Sequence, residues 1–496
     1  MTSRQASGLA GRIAAVMAVD PSAPAVEFDG RWATWGELAS TARSVAGQIP
    51  SPGVEVGILL RNHPVHVGLL LGVLMAEGCV VTINPGRGVE RTRDDVESLA
   101  LAFVSGTPDD VSTFVGPASD ATVLTARALG DAVTAVGGAG DPRSDVRPGV
   151  AVRMLTSGTT GPPKRVDLSY DTLQRVLTGA KHYESRREES LQLRSGVAIV
   201  NSPLVHLGGL FRVLQCVNDG RSFSLLERFT VDGWVDAVRR HRPKTASLVP
   251  AALRMVLQSD TDPEDLRSIR SVVCGTAPLA PEDADAFTAR FGIPVLVSYA
   301  ATEFGGGVAG WNLADHREFW SSKRGSVGRA HPGVSLRIVD AASGRVLGAG
   351  EDGVLEVLAD QINDGSSWVR TTDLARMDGD GFLWILGRAD QAIIRGGFKV
   401  LPDDVRAALE SHPLVSGAAV VGVPDDRLGE VPVAAVELQA GASVDPEELL
   451  AHSTGILARY ELPTSILIVD RLPRTASAKV DLVAVRSLFD RAGGRT

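Results

Sequence analysis

Cysteine is scarce: Cys79, Cys216 and Cys274 are the only three in 496 residues, and no two stand at CxxC spacing. That excludes a disulfide framework and offers no zinc-ligand pattern; three separated thiols fit burial in a reducing compartment. Positive charge is also short. The formal net charge is −9 and no block of lysine or arginine stands out, whereas a nucleic-acid surface calls for the opposite sign. No nucleic-acid partner is expected. Long hydrophobic runs are missing too: the longest, Val67 to Ala76 (VGLLLGVLMA), is about half a membrane span and is followed by Glu77. The apolar run IAAVMAV near the N-terminus leads into a charged, proline-containing segment, unlike a signal peptide. Neither an internal repeat nor a low-complexity segment is present. These absences predict a soluble, cytoplasmic protein with no membrane span.

What is present is globular. Hydrophobic residues make up 44% and charged residues 22%, near the averages for folded domains, and at ~150 residues per domain the chain has room for roughly two to four. The first hundred or so residues alternate amphipathic helical patterns with short apolar strands such as VEVGILL (54–60) and CVVTINP (79–85), which predicts βα units on a parallel sheet. A Gly/Pro/Asp-rich loop (134–149) precedes the strand VAVRML. A second series follows: VAIVNSPL, RSFSLLERF, TASLVP, SVVCGTAPL and PVLVSYAATE. Each run ends in small or polar residues, where open α/β sheets carry their ligand loops. After Gly325 short strands separated by Gly/Asp turns predict a small antiparallel sheet or barrel, and from Asp390 a compact strand–helix unit begins.

The stretch TSGTTGPPKR (156–165) packs four hydroxyl side chains and two glycines into six residues, then two prolines and a lysine. Hydroxyls, glycine-freed backbone N–H groups and an ammonium are what a polyphosphate needs. A Walker-type P-loop is ruled out, because Pro163 precedes Lys164 and Arg165 follows it. A polar surface turn fits the same composition.

The rest of the chain decides between these. LTSGTTGPPKR resembles the phosphate-loop signature of the adenylate-forming superfamily: acyl-CoA synthetases, peptide-synthetase adenylation domains and firefly-type luciferases. ATWGELA (33–39) resembles the family's opening motif, SYAATE (298–303) its YGxTE motif, and GSVGRAHPGVSLRIVD (325–340) the entry to its third subdomain. RTTDLA (370–375) stands at the ribose-binding aspartate, GRADQAIIRGGFKVLPDDV (387–405) resembles the hinge, and LPRTASAKV (472–480) the closing catalytic-lysine motif. They occur in family order over nearly the whole chain, most like bacterial acyl-CoA synthetases of fatty or aryl acids. The implied fold is α/β: a large N-terminal domain (1–388) of two βαβ-type subdomains plus a small β-barrel-like subdomain, then a small mobile α+β C-terminal domain (389–496). The implied reaction is activation of a carboxylic acid by ATP with pyrophosphate release, then transfer to CoA.

The resemblance also implies roles. Thr156, Ser157, Thr159 and Thr160 would hold the β/γ-phosphates with Lys164, while Gly158 and Gly161 let the loop close. Thr302 would contact the α-phosphate and Glu303 the magnesium ion, which takes few carboxylates beside phosphate oxygens. Ser298, Tyr299 and Ala300 would lie at the adenine, with Gly275, Thr276, Ala277 and Pro278 as a wall. Asp373 would accept hydrogen bonds from the ribose hydroxyls, with Arg388 as a second contact. Lys479 would bridge the substrate carboxylate and the α-phosphate, Asp390 would be the hinge, and Gly396, Gly397, Lys399 and Arg395 would face CoA. Each has a plainer reading in isolation: turn residue, helix cap or solvated charge.

His206, in PLVHLGGL, would gate the acyl site, and the absence of an accompanying acidic residue disfavours an α-amino acid. Leu207 to Leu210, Phe304 and the glycines Gly305 to Gly307 predict an apolar pocket with room at its wall, for an aromatic, alicyclic or medium-chain acid. The alternative for these glycines is close packing. Four positions depart from the family pattern: Arg165, Ala300, Thr372 and Ala478 each stand where glycine is usual, adding side chains near the phosphates, ribose and lysine. An acyl carrier protein as acceptor, or a catalytically silent nucleotide-binding protein, are the other functions weighed, and a homodimer is an assembly the resemblance allows.

Overall fold

A computed structural model describes residues 8–117, 119–138, 146–155, 164–179, 191–362, 365–396, 398–425, 427–475 and 479–493. The predicted strands form, each within a few residues of its apolar run. In the first sheet the order is Thr134–Val136, Thr122–Thr125, Phe103–Gly106, Glu55–Leu59, Cys79–Ile83, Val150–Leu155, Arg165–Ser169. Its inner strands are parallel and the two edge strands antiparallel. The motif ATWGELA is a helix start. Thr34 Oγ1 accepts from the Glu37 amide (3.1 Å), and the Glu37 carboxylate accepts from the Thr34 amide (2.7 Å), which opens the helix Trp35–Ala46.

The long apolar run lies in the helix Pro64–Met75, whose residues from Pro64 to Leu74 are all buried. Proline at its first position costs no hydrogen bond. Burying each of its leucines is worth about 1.5–3 kcal/mol. Gly72 lets the helix Trp35–Ala46 come close: a Cβ there would sit 2.5 Å from Val45 Cβ and 2.6 Å from the Ala42 carbonyl oxygen. This is a core helix. Among the described residues no helix is long and apolar enough to cross a membrane.

Two further sheets carry the second βα series. One orders Arg194–Val200, Arg221–Leu225, Pro24–Phe28, Arg31–Thr34; the other Thr245–Leu248, Ser271–Cys274, Val295–Ala301, Gly306–Gly310, Arg329–Ala330. In each the first three strands are parallel, so their carboxyl ends deliver loops to one edge. The antiparallel sheet expected after Gly325 is a four-stranded meander, Val334–Val339, Asp352–Ala359, Val369–Met377 and Leu383–Arg388.

A last sheet begins at Ile393, with Gly429–Leu438 and Val415–Asp425 as its long antiparallel pair. Alternate residues serve opposite faces. Val420 and Ala434 pack with Val405 and Leu409 of the helix Pro402–Glu410, while Val421 and Val433 pack with Val485 of the C-terminal helix. Both faces are therefore covered.

Candidate active site

The strand Val295–Ala301 ends in the SYAATE motif, passes through one turn at Thr302–Phe304 and reverses into Gly306–Gly310. From it the Tyr299 hydroxyl donates to Asp373 Oδ2 on the meander. The Asp373 amide donates to Thr371 Oγ1 (3.0 Å), which itself donates to the Leu355 carbonyl (2.8 Å). Asp373 pairs in register with Arg388 on the next strand. The Arg388 guanidinium forks onto Asp390, Nε to Oδ1 at 2.9 Å and Nη2 to Oδ2 at 2.6 Å. Burial raises the Asp373 pKa from its ordinary value, against the Tyr299 hydrogen bond and the Arg388 charge. Burial and the adjacent Asp373 charge push the Tyr299 phenol well up.

Lys479 comes from the far end of the chain. The Thr475 amide donates to the Lys479 carbonyl (2.7 Å), and Arg474 forms an isolated antiparallel bridge with Val480. Lys479 is half-buried. Burial lowers its pKa, the Glu303 charge opposes the shift and Arg388 adds to it. His206 stands at the N-cap position of the helix Leu207–Asn218, and its Nε2 is buried with no hydrogen-bond partner among the described residues. Burial and the Lys479 charge push His206 down to about 4, so its imidazole is neutral near pH 7. Lys479, His206, Glu303 and Arg388 thus share one neighbourhood. Glu303 and Ala300 are exposed there and Thr302 is half-buried.

Gly275 to Pro278 follow the strand Ser271–Cys274, and Thr276, Ala277 and Pro278 are exposed. Thr276 has φ +75°, a left-handed conformation that costs a β-branched residue about 1–3 kcal/mol. Cys274 is buried filler, its thiol pushed up to about 12 by burial.

Thr156, Ser157, Gly158, Thr159, Thr160, Gly161, Gly397 and Ala478 fall outside the described residues, as does the Lys399 side chain; Lys164 is exposed at the edge of that gap. The Arg165 side chain is engaged within the described residues: its Nη2 donates to both oxygens of Asp95 at 2.9 Å and its Nη1 to the Thr82 carbonyl at 2.9 Å. It anchors the strand leaving the loop. Arg395 donates to the carbonyls of Tyr460 and Leu462, both at 2.9 Å, and Gly396 takes φ +57° beside it in the same hairpin.

The walls expected of the apolar pocket are found only in part, Gly307 among them. Leu210 and Phe304 are buried core residues, not pocket walls. Gly305 and Gly306 leave no room: their Cβ atoms would meet Thr172 Cγ2 at 2.5 Å and Val176 Cγ1 at 2.8 Å on the helix Tyr170–Gly179. These glycines serve close packing. A cavity of about 1290 Å³ is lined by Ser298, Gly307 and Val273 and by Phe211, Arg212 and Gln215 of the helix Leu207–Asn218. None of Arg212, Gln215, Gln174 or His331, which all line it, was expected. Arg212 and Gln215 interrupt the buried run Leu210, Val213, Leu214, Cys216, and that interruption is the signal the sequence offered.

Residues 13–365 match the AMP-binding enzyme family, and residues 404–479 match the AMP-binding enzyme C-terminal domain. The chain belongs to the AMP-binding enzyme family. It is 33% identical over 353 residues to indoleacetate–CoA ligase of Aromatoleum aromaticum, covering 68% of this chain and 66% of that protein. With the feruloyl-CoA synthase of an Amycolatopsis species the match is 29% over 499 residues, 95% of this chain and 97% of that one. Among solved structures, the amide bond synthetase McbA of Marinactinospora thermotolerans superposes with a TM-score of 0.79 at 28% identity, covering 97% of this family member and 100% of McbA.

Proposed function

We propose that Lys479, Thr302 and Glu303 carry carboxylate activation in this enzyme, an AMP-forming acid–thiol ligase that uses ATP to activate a carboxylic acid and forms its CoA thioester. The observation that carries the reading is Lys479: a half-buried lysine within charge range of His206, Glu303 and Arg388, though far from all three in sequence. The reaction sets a carboxylate against an anionic α-phosphate, so its barrier falls through positioning and charge stabilisation. A compact ammonium with three donors bridges the two anions. Neutral His206 borders the acid's carboxylate without adding a second cation. Asp373, held by Tyr299 and Thr371, takes the ribose hydroxyls, Arg388 flanks it, and Tyr299 lies against adenine.

Magnesium, when bound, offsets the charge of the triphosphate. Glu303 is the carboxylate suited to hold it. An ion of this kind draws most of its shell from phosphate oxygens and water, so one carboxylate suffices.

The second step follows rotation of residues 389–496 about Asp390, supported by the change of sheet between Arg388 and Ile393. Rotation withdraws Lys479 and turns Gly396, Gly397 and Lys399 toward CoA. Pyrophosphate exchange with a panel of acids tests the first step, and product analysis with CoA tests the second. Exchange without thioester would move the acceptor to a carrier protein or an amine; no exchange with any acid would refute the activation reading.

A further inference from the structure

Asn62 stands just past the strand Glu55–Leu59 of the first sheet, in the stretch LRNHP, and is 6% exposed. Its side-chain amide is engaged by backbone groups of the second sheet. Nδ2 donates to the carbonyls of Ser202 (3.0 Å) and Leu226 (2.9 Å), and Oδ1 accepts from the Leu204 amide (2.8 Å). Ser202 and Leu204 follow the strand Arg194–Val200, and Leu226 follows Arg221–Leu225. One side chain thus ties together the carboxyl ends of three strands from two sheets. These partners call for asparagine: an ionised aspartate has no hydrogen for either carbonyl, and glutamine is one methylene longer.

The tie reaches His206 through a tightly packed segment. The His206 amide donates to the Pro203 carbonyl (3.1 Å), and the Leu210 amide donates to the His206 carbonyl (3.1 Å). Gly209 lies directly on the loop: a Cβ there would sit 2.3 Å from the Pro203 carbonyl oxygen and 2.6 Å from that of Ser202. Holding Ser202 and Leu204 therefore holds His206. On the other side of the tie, Glu55–Leu59 pairs with Cys79–Ile83, which pairs with Val150–Leu155. That last strand runs in sequence into the hydroxyl-rich stretch 156–161. The groups expected at the acid and at the phosphates thus belong to different sheets, and Asn62 joins them.

We infer that Asn62 is a positioning residue for carboxylate activation: by clamping Ser202 and Leu204 to the end of Glu55–Leu59, it holds His206 in register with the sheet that leads to the phosphate stretch. The inference rests on the acid-activation reading above, in which His206 borders the acid's carboxylate. Asn62 gives its hydrogen bonds to backbone and acts through His206. A reacting group misplaced by about 1 Å loses on the order of 10²-fold in rate. The signature of losing the clamp therefore lies in kcat and the acid's KM, with ATP affinity spared.

The experiment is pyrophosphate exchange by the full-length protein with benzoate, cyclohexanecarboxylate and octanoate, the fastest of the three taken forward. Calorimetric titration with ATP and the imidazole Cε1 NMR signal of His206 accompany it. Asn62→Ala should lower kcat by about 10–10²-fold and raise the acid's KM, leave the Kd for ATP within about twofold, and shift the His206 signal. Val73→Ala, a buried truncation in the helix Pro64–Met75, is the control for lost stability: it should lower the melting temperature while kcat and the His206 signal stay near wild type. An unchanged kcat in Asn62→Ala, an equal loss in Val73→Ala, an ATP affinity that falls as far as kcat, or an unmoved His206 signal would overturn the inference. If Asn62→Ala does not fold, Asn62→Ser is read against the same criteria. Wild-type exchange with Asn62→Ala unimpaired sinks the clamp alone; no exchange by the wild-type protein with these or any other acid sinks the activation reading and the clamp together.

Discussion

Acidification should leave His206 neutral well below the point at which an ordinary histidine charges. Burial and the Lys479 ammonium bring its pKa from 6.5 to about 4. At 1.36 kcal/mol per unit this is at most about 3 kcal/mol of differential interaction. The direction follows from proton counting. Between pH 6.5 and about 4 the unfolded chain binds this proton and the native protein does not, so native stability falls as pH drops through that window. Above 6.5 the contribution is fully present. Because Lys479 supplies the second cause, Lys479→Met should move the midpoint upward without restoring 6.5, since burial is the larger cause. The assay is an NMR titration of imidazole Cε1 resonances, with His206 assigned from its loss in His206→Gln. A midpoint near 6.5 in the wild-type protein, or one indifferent to Lys479→Met, would refute the placement of these two residues.

Two further outcomes follow from the same geometry. Lys479→Ala should cut acyl-adenylate formation by about 10²–10³-fold and spare thioester formation from supplied acyl-adenylate and CoA, whereas Asp390→Pro should impair mainly the second step by restricting the hinge; equal losses in both steps for both variants would exclude a rotating domain. Gly306→Leu places side-chain atoms where a Cβ already lies 2.8 Å from Val176 Cγ1, so the melting temperature should fall with a cost of about 1–3 kcal/mol, and longer acids should lose more kcat/KM than short ones because Val176 lines the cavity; an unchanged melting temperature would show that the helix Tyr170–Gly179 yields freely.

Local pattern made the strands and motifs readable. Cys79–Ile83 and Ser271–Cys274 are short apolar runs that end where their sheets carry loops, and Thr34 with Glu37 spells a capping box. Asp373 and Lys479 were singled out only through a resemblance spread along the chain. What stayed hidden depends on partners distant in sequence. Arg165 reads as an intrusion beside the phosphate loop until Asp95, 70 residues earlier, is found to accept its fork. Gly305 and Gly306 read as open space because glycine writes no side chain, and only the folded chain brings Thr172 and Val176 against them. Arg212 sits in an amphipathic helix, where one polar residue in an apolar stretch does not reveal whether solvent or an enclosed cavity lies beyond it.

The three cysteines have a practical consequence. Cys79, Cys216 and Cys274 are free thiols at 0%, 2% and 0% exposure, and burial holds each away from its reactive thiolate form. Maleimides and spin-label reagents should therefore pass the native chain by. A thiol introduced at Ser411, on the unit that follows Arg388, and another at exposed Met255 on the larger one would be the two addressable positions. Their separation, read by paired-label spectroscopy as ATP, acid and CoA are added in turn, would follow the small unit through its cycle without first stripping any native cysteine.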